Sequence, residues 1–336
     1  MSLVAETPGR PCLRALAALR VSSSKESRRS AVTQFLHAAE EKLKGKGEIR
    51  CVVQDIESCF TKMPKEVIRI ALRSELHKIE EKHGYDSVTV PIRKTLPCTF
   101  KPTSRRGYVR IPFEELAEVM EFALDNTLMR DFDGQLWKQV EGIPMGDSHS
   151  PGMCIGTCAW MEHEWLGTVH RGSRGHFAAK RYMDDLICVT AHGDGWDGER
   201  FLKDLSNECY LPPLRLEDGG EGTFLETSFE VSRTNQIRHW LKNENKPGQT
   251  YKTWRYAHFH SHAAFNQKKA TLMACLKKLH KMASDPTALK RSAAQKLAEF
   301  AKLMYPRKLL WTACTTIGVN SRDPTWFRVR EQIPYA

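Results

Sequence analysis

Apolar residues recur at helical spacing in two stretches of the first half of the chain. Residues 64–83 form the first stretch, which Gly84 ends, and residues 113–128 form the second. The positions that share one face are Ile68, Leu72, Leu76 and Ile79 in the first stretch, and Leu116, Val119, Met120, Ala123 and Leu124 in the second. We expect both stretches to fold as amphipathic helices that pack on a core.

Shorter apolar runs of strand length lie around these helices. Residues 51–56 are rich in Val and Ile and end close to a carboxylate, Asp55. Further strands are expected within 85–111, at 214–217 and over 223–231, and further helices from Pro151 onward and over 199–207. The pattern mixes helices and strands along the chain, without an internal repeat.

Residues 180–190 place two adjacent acids, Asp184 and Asp185, between apolar and β-favouring residues. This pattern predicts a β-hairpin with both carboxylates at its turn. Adjacent carboxylates repel, so a purely structural turn gains nothing from the pair, whereas a hard divalent cation such as Mg²⁺ would relieve the repulsion. A solvated loop is the alternative interpretation of the motif when it is taken alone.

Two further segments are candidates for binding. Asp55 stands at the end of its strand, where the functional groups of many sheets lie, or else it caps the helix that begins near Pro64. Residues 141–152 form a glycine-bracketed loop that leads into a helix rich in small residues. Glycines permit close backbone approach and a helix N-terminus exposes free N–H groups, although an ordinary loop has a similar composition.

In chain order, the Asp55 strand, the loop over 141–152 and the hairpin Tyr182-Met183-Asp184-Asp185 resemble the A, B and C motifs of a reverse-transcriptase palm. Viral RNA-dependent RNA polymerases usually have Gly-Asp-Asp in place of Tyr-x-Asp-Asp. The segments that resemble the Penelope-like retroelement lineage are 123–127, 137–142, 161–164, 214–217, 223–226 and 304–306, with Glu226 in place of the usual Asp.

The resemblance implies an α+β fold: a right-hand polymerase palm, in which helices back an antiparallel sheet, with partial fingers and a helical thumb. The implied domains are partial fingers over 1–50, a palm over 51–232 with a fingers insertion at about 85–140, a connection and basic helical thumb over 233–310, and a C-terminal tail over 311–336. Arg10-Pro11 resembles the end of the fingers strands, so we expect the chain to start within the fingers and to be a weak polymerase by itself.

The same resemblance implies the catalytic residues Asp55, Asp184 and Asp185. They would bind two Mg²⁺ ions, or Mn²⁺ in their place, with the backbone carbonyl of Ile56 as a further ligand. The implied nucleotide-binding residues are Phe60, Pro144, Met145, Gly146, Tyr182 and Arg10. Phe60 would exclude a 2′-hydroxyl from the sugar site, or it packs in the core.

Basic residues dominate the stretch from 250 to 310, and those chosen as contacts to a nucleic-acid backbone are Lys268, Lys269, Lys277, Lys278 and Lys281. The expected partners are an RNA template, a DNA or RNA primer and dNTPs. Two alternatives remain open beside RNA-directed DNA synthesis. The chain is a weak or inactive palm that only binds nucleic acid, or it is an RNA-dependent RNA polymerase, against which Tyr182, Met183 and Phe60 argue.

Composition indicates the kind of partner and the cellular compartment. The formal charge of +11 over 336 residues suits a polyanionic partner, and there is no apolar run long enough to span a membrane. The ten cysteines include no CxxC pair, which argues against a zinc ribbon and favours buried thiols in an intracellular, nuclear setting. His258, His260 and His262 would share one face of a strand, as a metal site or as polar residues facing a primer.

Overall fold

The computed structural model describes residues 28–92, 98–101, 103, 106–145, 147, 149–169, 171–193, 195–220, 222–242 and 255–333. Its α-helices are α1 (Arg28–Leu43), α2 (Cys59–Lys62), α3 (Lys65–His83), α4 (Phe113–Asp125), α5 (Ser150–Thr168), α6 (Gly198–Glu208), α7 (Phe265–Met282), α8 (Pro286–Lys302), α9 (Arg307–Ser321) and α10 (Thr325–Glu331). Its strands are β1 (Glu48–Ile56), β2 (Ser87–Pro91), β3 (Tyr108–Pro112), β4 (Leu128–Arg130), β5 (Leu136–Lys138), β6 (Phe177–Tyr182), β7 (Asp185–His192), β8 (Leu216–Asp218), β9 (Thr223–Phe224), β10 (Thr227–Val231) and β11 (Ile237–Leu241).

The central sheet has four antiparallel strands in the order β6-β7-β1-β8. Strand β1 pairs with β7 from Glu48 opposite His192 to Asp55 opposite Asp185. The other edge of β1 pairs with β8, where Asp55 lies opposite Glu217. The register therefore puts the last residues of β1 beside the first residues of β7 and the middle of β8.

Helices cover both faces of this sheet, and the inner strand β7 is accordingly buried at successive positions from Leu186 to Ala191. On one face, Ile49, Ile187 and Val189 pack in a core with Leu36 of α1. On the other face, Ile56 packs in a larger core that includes residues of α3, α4 and α5. A central strand that is buried on both faces is rigid, and the side chains at its end are held in a fixed register.

The smaller sheets lie around this centre. Strands β2 and β3 pair, as do β4 and β5, and β9, β10 and β11 form a three-stranded sheet. Every residue of β4 and β5 is exposed. The chain is thus a mixed α+β structure with antiparallel sheets, as the sequence predicted.

The helices predicted from periodicity are confirmed with small shifts of their ends. Helix α3 runs over 65–83 and α6 over 198–208. Helix α4 ends at Asp125, three residues before the predicted end, because residues 128–130 pair as β4. The expected strand over 223–231 is two strands, interrupted at Leu225, whose φ is 53°.

Helices α7 to α10 share one apolar core, and this corrects the assignment of 311–336 as a tail. Trp326 and Val329 of α10 are fully buried in that core beside Leu276 of α7 and Phe300 of α8. The chain after residue 310 therefore completes the helical unit. No helix among the described residues is long and apolar enough to cross a membrane.

His258, His260 and His262 do not lie on a strand. Residues 258–262 form turns, and the ring centroids of His258 and His260 lie 5.6 Å apart. The expectation that the three rings share a strand face is wrong, because the chain turns here to enter α7.

The role of α10 in the core can be tested by truncating Trp326. Trp326→Ala should lower the free energy of unfolding by about 3–5 kcal/mol, as loss of a fully buried aromatic does. Trp137→Ala, at an exposed position of β5, should cost about 1 kcal/mol or less. Urea denaturation measures the loss of unfolding free energy in both variants. Equal losses would show that α10 does not contribute to the core.

Candidate active site

The β6–β7 hairpin brings two acids to one end of the central sheet. Tyr182 pairs with Asp185, so that Met183 and Asp184 form a two-residue turn. Met183 has a φ of 59°, a left-handed conformation that tight hairpin turns require. The prediction of a hairpin with both carboxylates at its turn is confirmed.

Asp55 meets these acids through the sheet register. It lies directly opposite Asp185, and the N–H of the next residue, Ile56, donates a 3.0 Å hydrogen bond to the carbonyl of Asp184. Asp55 is not a helix cap, because Ser58 precedes α2 and Pro64 precedes α3. The capping interpretation is therefore wrong, and the three predicted acids lie at one place.

The carboxylates oppose one another electrostatically. Burial raises the pKa of the Asp55 carboxyl, and the charges of Asp184 and Glu217 raise it further, whereas a backbone hydrogen bond from Ile56 lowers it. Burial likewise raises the pKa of Asp185, with Asp184 and Asp55 adding to the effect and Lys242 opposing it. Half-buried carboxylates that repel in this way fit a hard divalent cation, which would bind their oxygens and relieve the repulsion.

Glu217 also belongs to this acidic group, although it was not among the predicted site residues. It lies opposite Asp55 on β8, and Arg215 stands near it while also pairing with Glu57. Its motif is visible in the sequence, but only the pairing of β8 with β1 shows that it faces Asp55.

Arg181 anchors the hairpin turn to α5. Its buried guanidinium forms an ion pair with Glu162 and donates to the carbonyls of Met183 at 2.8 Å and Ile155 at 3.1 Å. The hydroxyl of Tyr210 donates to the same Glu162 carboxylate at 2.6 Å. Burial opposes the charge of Arg181, but Glu162, Cys158 and Tyr210 together outweigh burial and raise its pKa. This network fixes the position of the turn that contains Asp184.

The loop before α5 lies against the segment that follows β1. The N–H of Ile143 donates a 2.6 Å hydrogen bond to the carbonyl of Phe60, and the hydroxyl of Ser150 donates to the carbonyl of Pro144 at 2.5 Å. Gly142 has a φ of 73°, and a Cβ there would lie 2.4 Å from the Phe60 carbonyl oxygen and 2.5 Å from that of Thr61. A glycine is thus required for this close approach.

The predicted nucleotide-binding residues fall in different places. Phe60 is half-buried, Pro144 is buried, and Met145 and Tyr182 are exposed, Met145 by 74%. Gly146 and Arg10 lie outside the described residues. The structure therefore brings the backbone of Phe60 to the loop that contains Pro144, through the hydrogen bond from Ile143.

The lysines chosen from α7 do not share one environment. Lys269, Lys277 and Lys281 are exposed, whereas Lys278 donates to Glu226 at 2.8 Å. Lys268 is only 6% exposed, and its ammonium donates to the carbonyls of Phe259 and Ser261 at 2.6 Å each. Its assignment as a nucleic-acid contact is wrong, because the preceding turn satisfies its charge.

No protein-family model matches the sequence, and no curated protein matches it. Solved structures do resemble the fold. A telomerase from Candida albicans, in complex with a TWJ fragment of telomeric RNA, superposes with a TM-score of 0.55 at 16% identity, over 96% of this chain and 55% of the telomerase chain. A Candida tropicalis telomerase with the same kind of RNA fragment gives a TM-score of 0.49 at 16% identity, over 93% and 47% of the two chains.

This chain spans about half the length of the telomerase chains it resembles. At this level of identity the likeness concerns the fold alone. Telomerase is a reverse transcriptase, so the chain has a reverse-transcriptase-like fold.

The glycine contact predicts a large effect from a single methyl group. Gly142→Ala should lower the free energy of unfolding by clearly more than the roughly 1 kcal/mol that a side chain at positive φ costs by itself, because it also meets two carbonyl oxygens. The matched control is Gly134→Ala, where φ is 85° but the nearest heavy atom lies 3.9 Å away. Denaturant titration measures the unfolding free energy of both variants. Equal losses would show that the two carbonyl oxygens near Gly142 do not add to the cost of positive φ.

The acidic cluster predicts a stability that depends on pH and on Mg²⁺. Because the folded pKa values of Asp55 and Asp185 are raised, the folded state holds more protons than the unfolded state as these groups titrate. The contribution of these two carboxyl groups to the free energy of unfolding is therefore lost as the pH rises from their unfolded pKa values through their raised folded pKa values. At neutral pH without metal, Asp184→Asn should melt at the parent's temperature or above it, and the difference should vanish in acid.

Mg²⁺ should raise the melting temperature of the parent by about 2 °C, which corresponds to roughly 1 kcal/mol for a chain of this size, and should raise that of Asp184→Asn less. Asp133→Asn, which removes an exposed acid near β5, serves as the control for net charge. An Mg²⁺ shift of the same size in the parent and in Asp184→Asn would place the ion elsewhere.

Proposed function

We propose that the chain is an RNA-directed DNA polymerase that performs template-directed nucleotidyl transfer, from a Penelope-like retroelement or a domesticated relative. The observation behind the proposal is the register that gathers Asp55, Asp184 and Asp185 at one end of a sheet buried on both faces. The reverse-transcriptase-like fold supports the same reaction class. The lineage rests on sequence segments alone.

In this proposal the central sheet with α3 and α5 is the palm. The hairpins β2–β3 and β4–β5 and the helix α4 between them belong to the fingers insertion, and α7 to α10 form the thumb. The arrangement follows the chain order of the sequence motifs, with the thumb extended through α10 to Glu331.

The residues that would bind a pair of Mg²⁺ ions, or Mn²⁺, are Asp55 and Asp184, with Asp185 and the Ile56 carbonyl beside them. Such ions activate a primer 3′-hydroxyl and neutralise the leaving pyrophosphate. The protein's own contribution is position: the β1–β7 register fixes Asp55 and Asp185, and Arg181 fixes the Asp184 turn. Preorganised charge of this kind accounts for much of catalysis in phosphoryl transfer.

Phe60 and the loop over 141–145 would hold the incoming nucleotide. The Ile143–Phe60 hydrogen bond ties this loop to the segment that begins at Asp55. Phe60 would lie under the sugar and exclude a 2′-hydroxyl, with Pro144 and Met145 near the base. Tyr182, exposed beside the turn, would face the nucleotide or the primer end.

An RNA template and a DNA or RNA primer are the partners that fit the charge. The chain has a formal charge of +11, and Lys269, Lys277 and Lys281 form an exposed basic set on α7. The Candida albicans telomerase was solved with RNA, which supports RNA as a ligand of this fold. Phosphate contacts of this type add affinity without sequence preference.

Primer extension tests the proposal. With dNTPs, Mg²⁺ and an RNA template, the parent should extend a DNA primer, and Asp55→Asn or Asp184→Asn should lose more than tenfold in rate, or about 1.4 kcal/mol of transition-state stabilisation. Asp133→Asn should extend like the parent.

The outcomes separate the candidate functions. Extension with rNTPs but not dNTPs would indicate an RNA polymerase. If the folded parent binds the primer–template but does not extend it, the chain is a nucleic-acid-binding protein without polymerase activity. Phe60→Ala should raise the use of rNTP relative to dNTP, and an unchanged ratio in an active variant would assign Phe60 to packing.

A further inference from the structure

Three cysteines from two separate segments meet in the core next to the acidic site. Cys59 begins α2, just after β1, and Cys154 and Cys158 lie one turn apart on α5. The sulfur of Cys59 lies 3.4 Å from that of Cys154 and 4.0 Å from that of Cys158. All three sulfurs lie within 4.8 Å of one another.

These separations suit a shared metal ion. With zinc–sulfur bonds of about 2.3 Å, tetrahedral thiolates lie about 3.8 Å apart, inside the range observed. A disulfide requires sulfurs only about 2.05 Å apart, so the cysteines are not cross-linked. The i, i+4 spacing on α5 points Cys154 and Cys158 to the same side of the helix, as two ligands of one ion require.

The surroundings favour such an ion. The residues Cys59, Cys154 and Cys158 are 3%, 0% and 0% exposed, so water does not compete for the sulfurs. Three thiolates and one divalent ion leave a single negative charge. The positive charge of the buried Arg181 guanidinium lowers the pKa of Cys154 and of Cys158, and it would offset part of that negative charge. The offset is only partial because Arg181 also forms an ion pair with Glu162.

The cysteines already share protons unequally. Hydrogen bonds from Cys158 and Cys59 lower the pKa of the Cys154 thiol, and the charge of Arg181 lowers it further, against the effect of burial. Hydrogen bonds to Cys154 and Cys158 and burial raise the pKa of Cys59.

We propose that Cys59, Cys154 and Cys158 form a binding site for a thiophilic divalent metal ion, for which Zn²⁺ is the best match. Binding exchanges up to three thiol protons for the ion, and the protons are released to solvent. Within the described residues, this is the one group of three Cys, His, Asp or Glu side chains whose possible ligand atoms all lie within 4.8 Å of one another. Other buried cysteines, such as Cys275 and Cys314, are core residues of the helical unit.

The ion would join two parts of the site. Residue Cys59 follows Asp55 by four positions, and α5 follows the loop over 141–149. A metal bridge between α2 and α5 would therefore hold the acidic strand end and the loop at a fixed distance. This role is structural and does not depend on the proposed polymerase activity.

Metal stoichiometry tests the site. The full chain is stripped with a chelator under reducing conditions, exchanged into chelator-free buffer, titrated with Zn²⁺ alone and separated from free ion, and bound zinc is measured by mass spectrometry. The parent should retain about one Zn²⁺ per chain, the content of a single site, and its melting temperature should rise with Zn²⁺. Cys59→Ala, Cys154→Ala and Cys158→Ala should each lose both effects.

The matched control is Cys314→Ala, a fully buried cysteine of α9, which should keep the zinc and the thermal shift. Circular dichroism checks that each variant is folded, and Cys158→Ser replaces any alanine variant that is not. Cd²⁺ in place of Zn²⁺ should give a sulfur-to-metal absorption band in the parent that Cys158→Ser weakens.

Three results would overturn the proposal: no zinc retained by the folded parent, zinc retained by all three cluster variants, or equal loss in Cys314→Ala.

Discussion

The pairing of β1 with β7 is the interaction on which the candidate site depends. It places Asp55 opposite Asp185 and, through the Ile56 N–H, next to Asp184. Like charges would separate if their backbones were free to move. Here both strands are held between two apolar cores, so burial of the sheet stabilises an arrangement that electrostatics opposes.

Local patterns in the sequence predicted what local physics determines. Helical spacing predicted α3, and apolar and β-favouring residues on both sides of two acids predicted the β6–β7 hairpin. The candidate acids were found because their motifs are short and contiguous. Their convergence depends on a sheet register that no single segment contains, and the same register makes Glu217 a neighbour of Asp55.

The predictions that failed depend on distant or unexpected partners. A basic helix suggested that Lys268 faces solvent, but two carbonyl groups of the preceding turn bind its ammonium. The segment after residue 310 looked like a tail because nothing local shows where Trp326 is buried. The cluster of Cys59 with Cys154 and Cys158 was not predicted, because it arises only when α2 packs on α5.

The register of β1 and β7 also sets the order in which this protein can fold. Asp55 and Asp185 are about 130 residues apart in the chain, so their meeting requires the closure of a long loop and comes slowly. The hairpin around Asp184 is local and can form early. A partly folded chain would therefore have the two hairpin acids together at their turn without Asp55 of β1 beside them. The complete acidic group is a property of the finished sheet, which delays any metal-dependent chemistry until folding is complete.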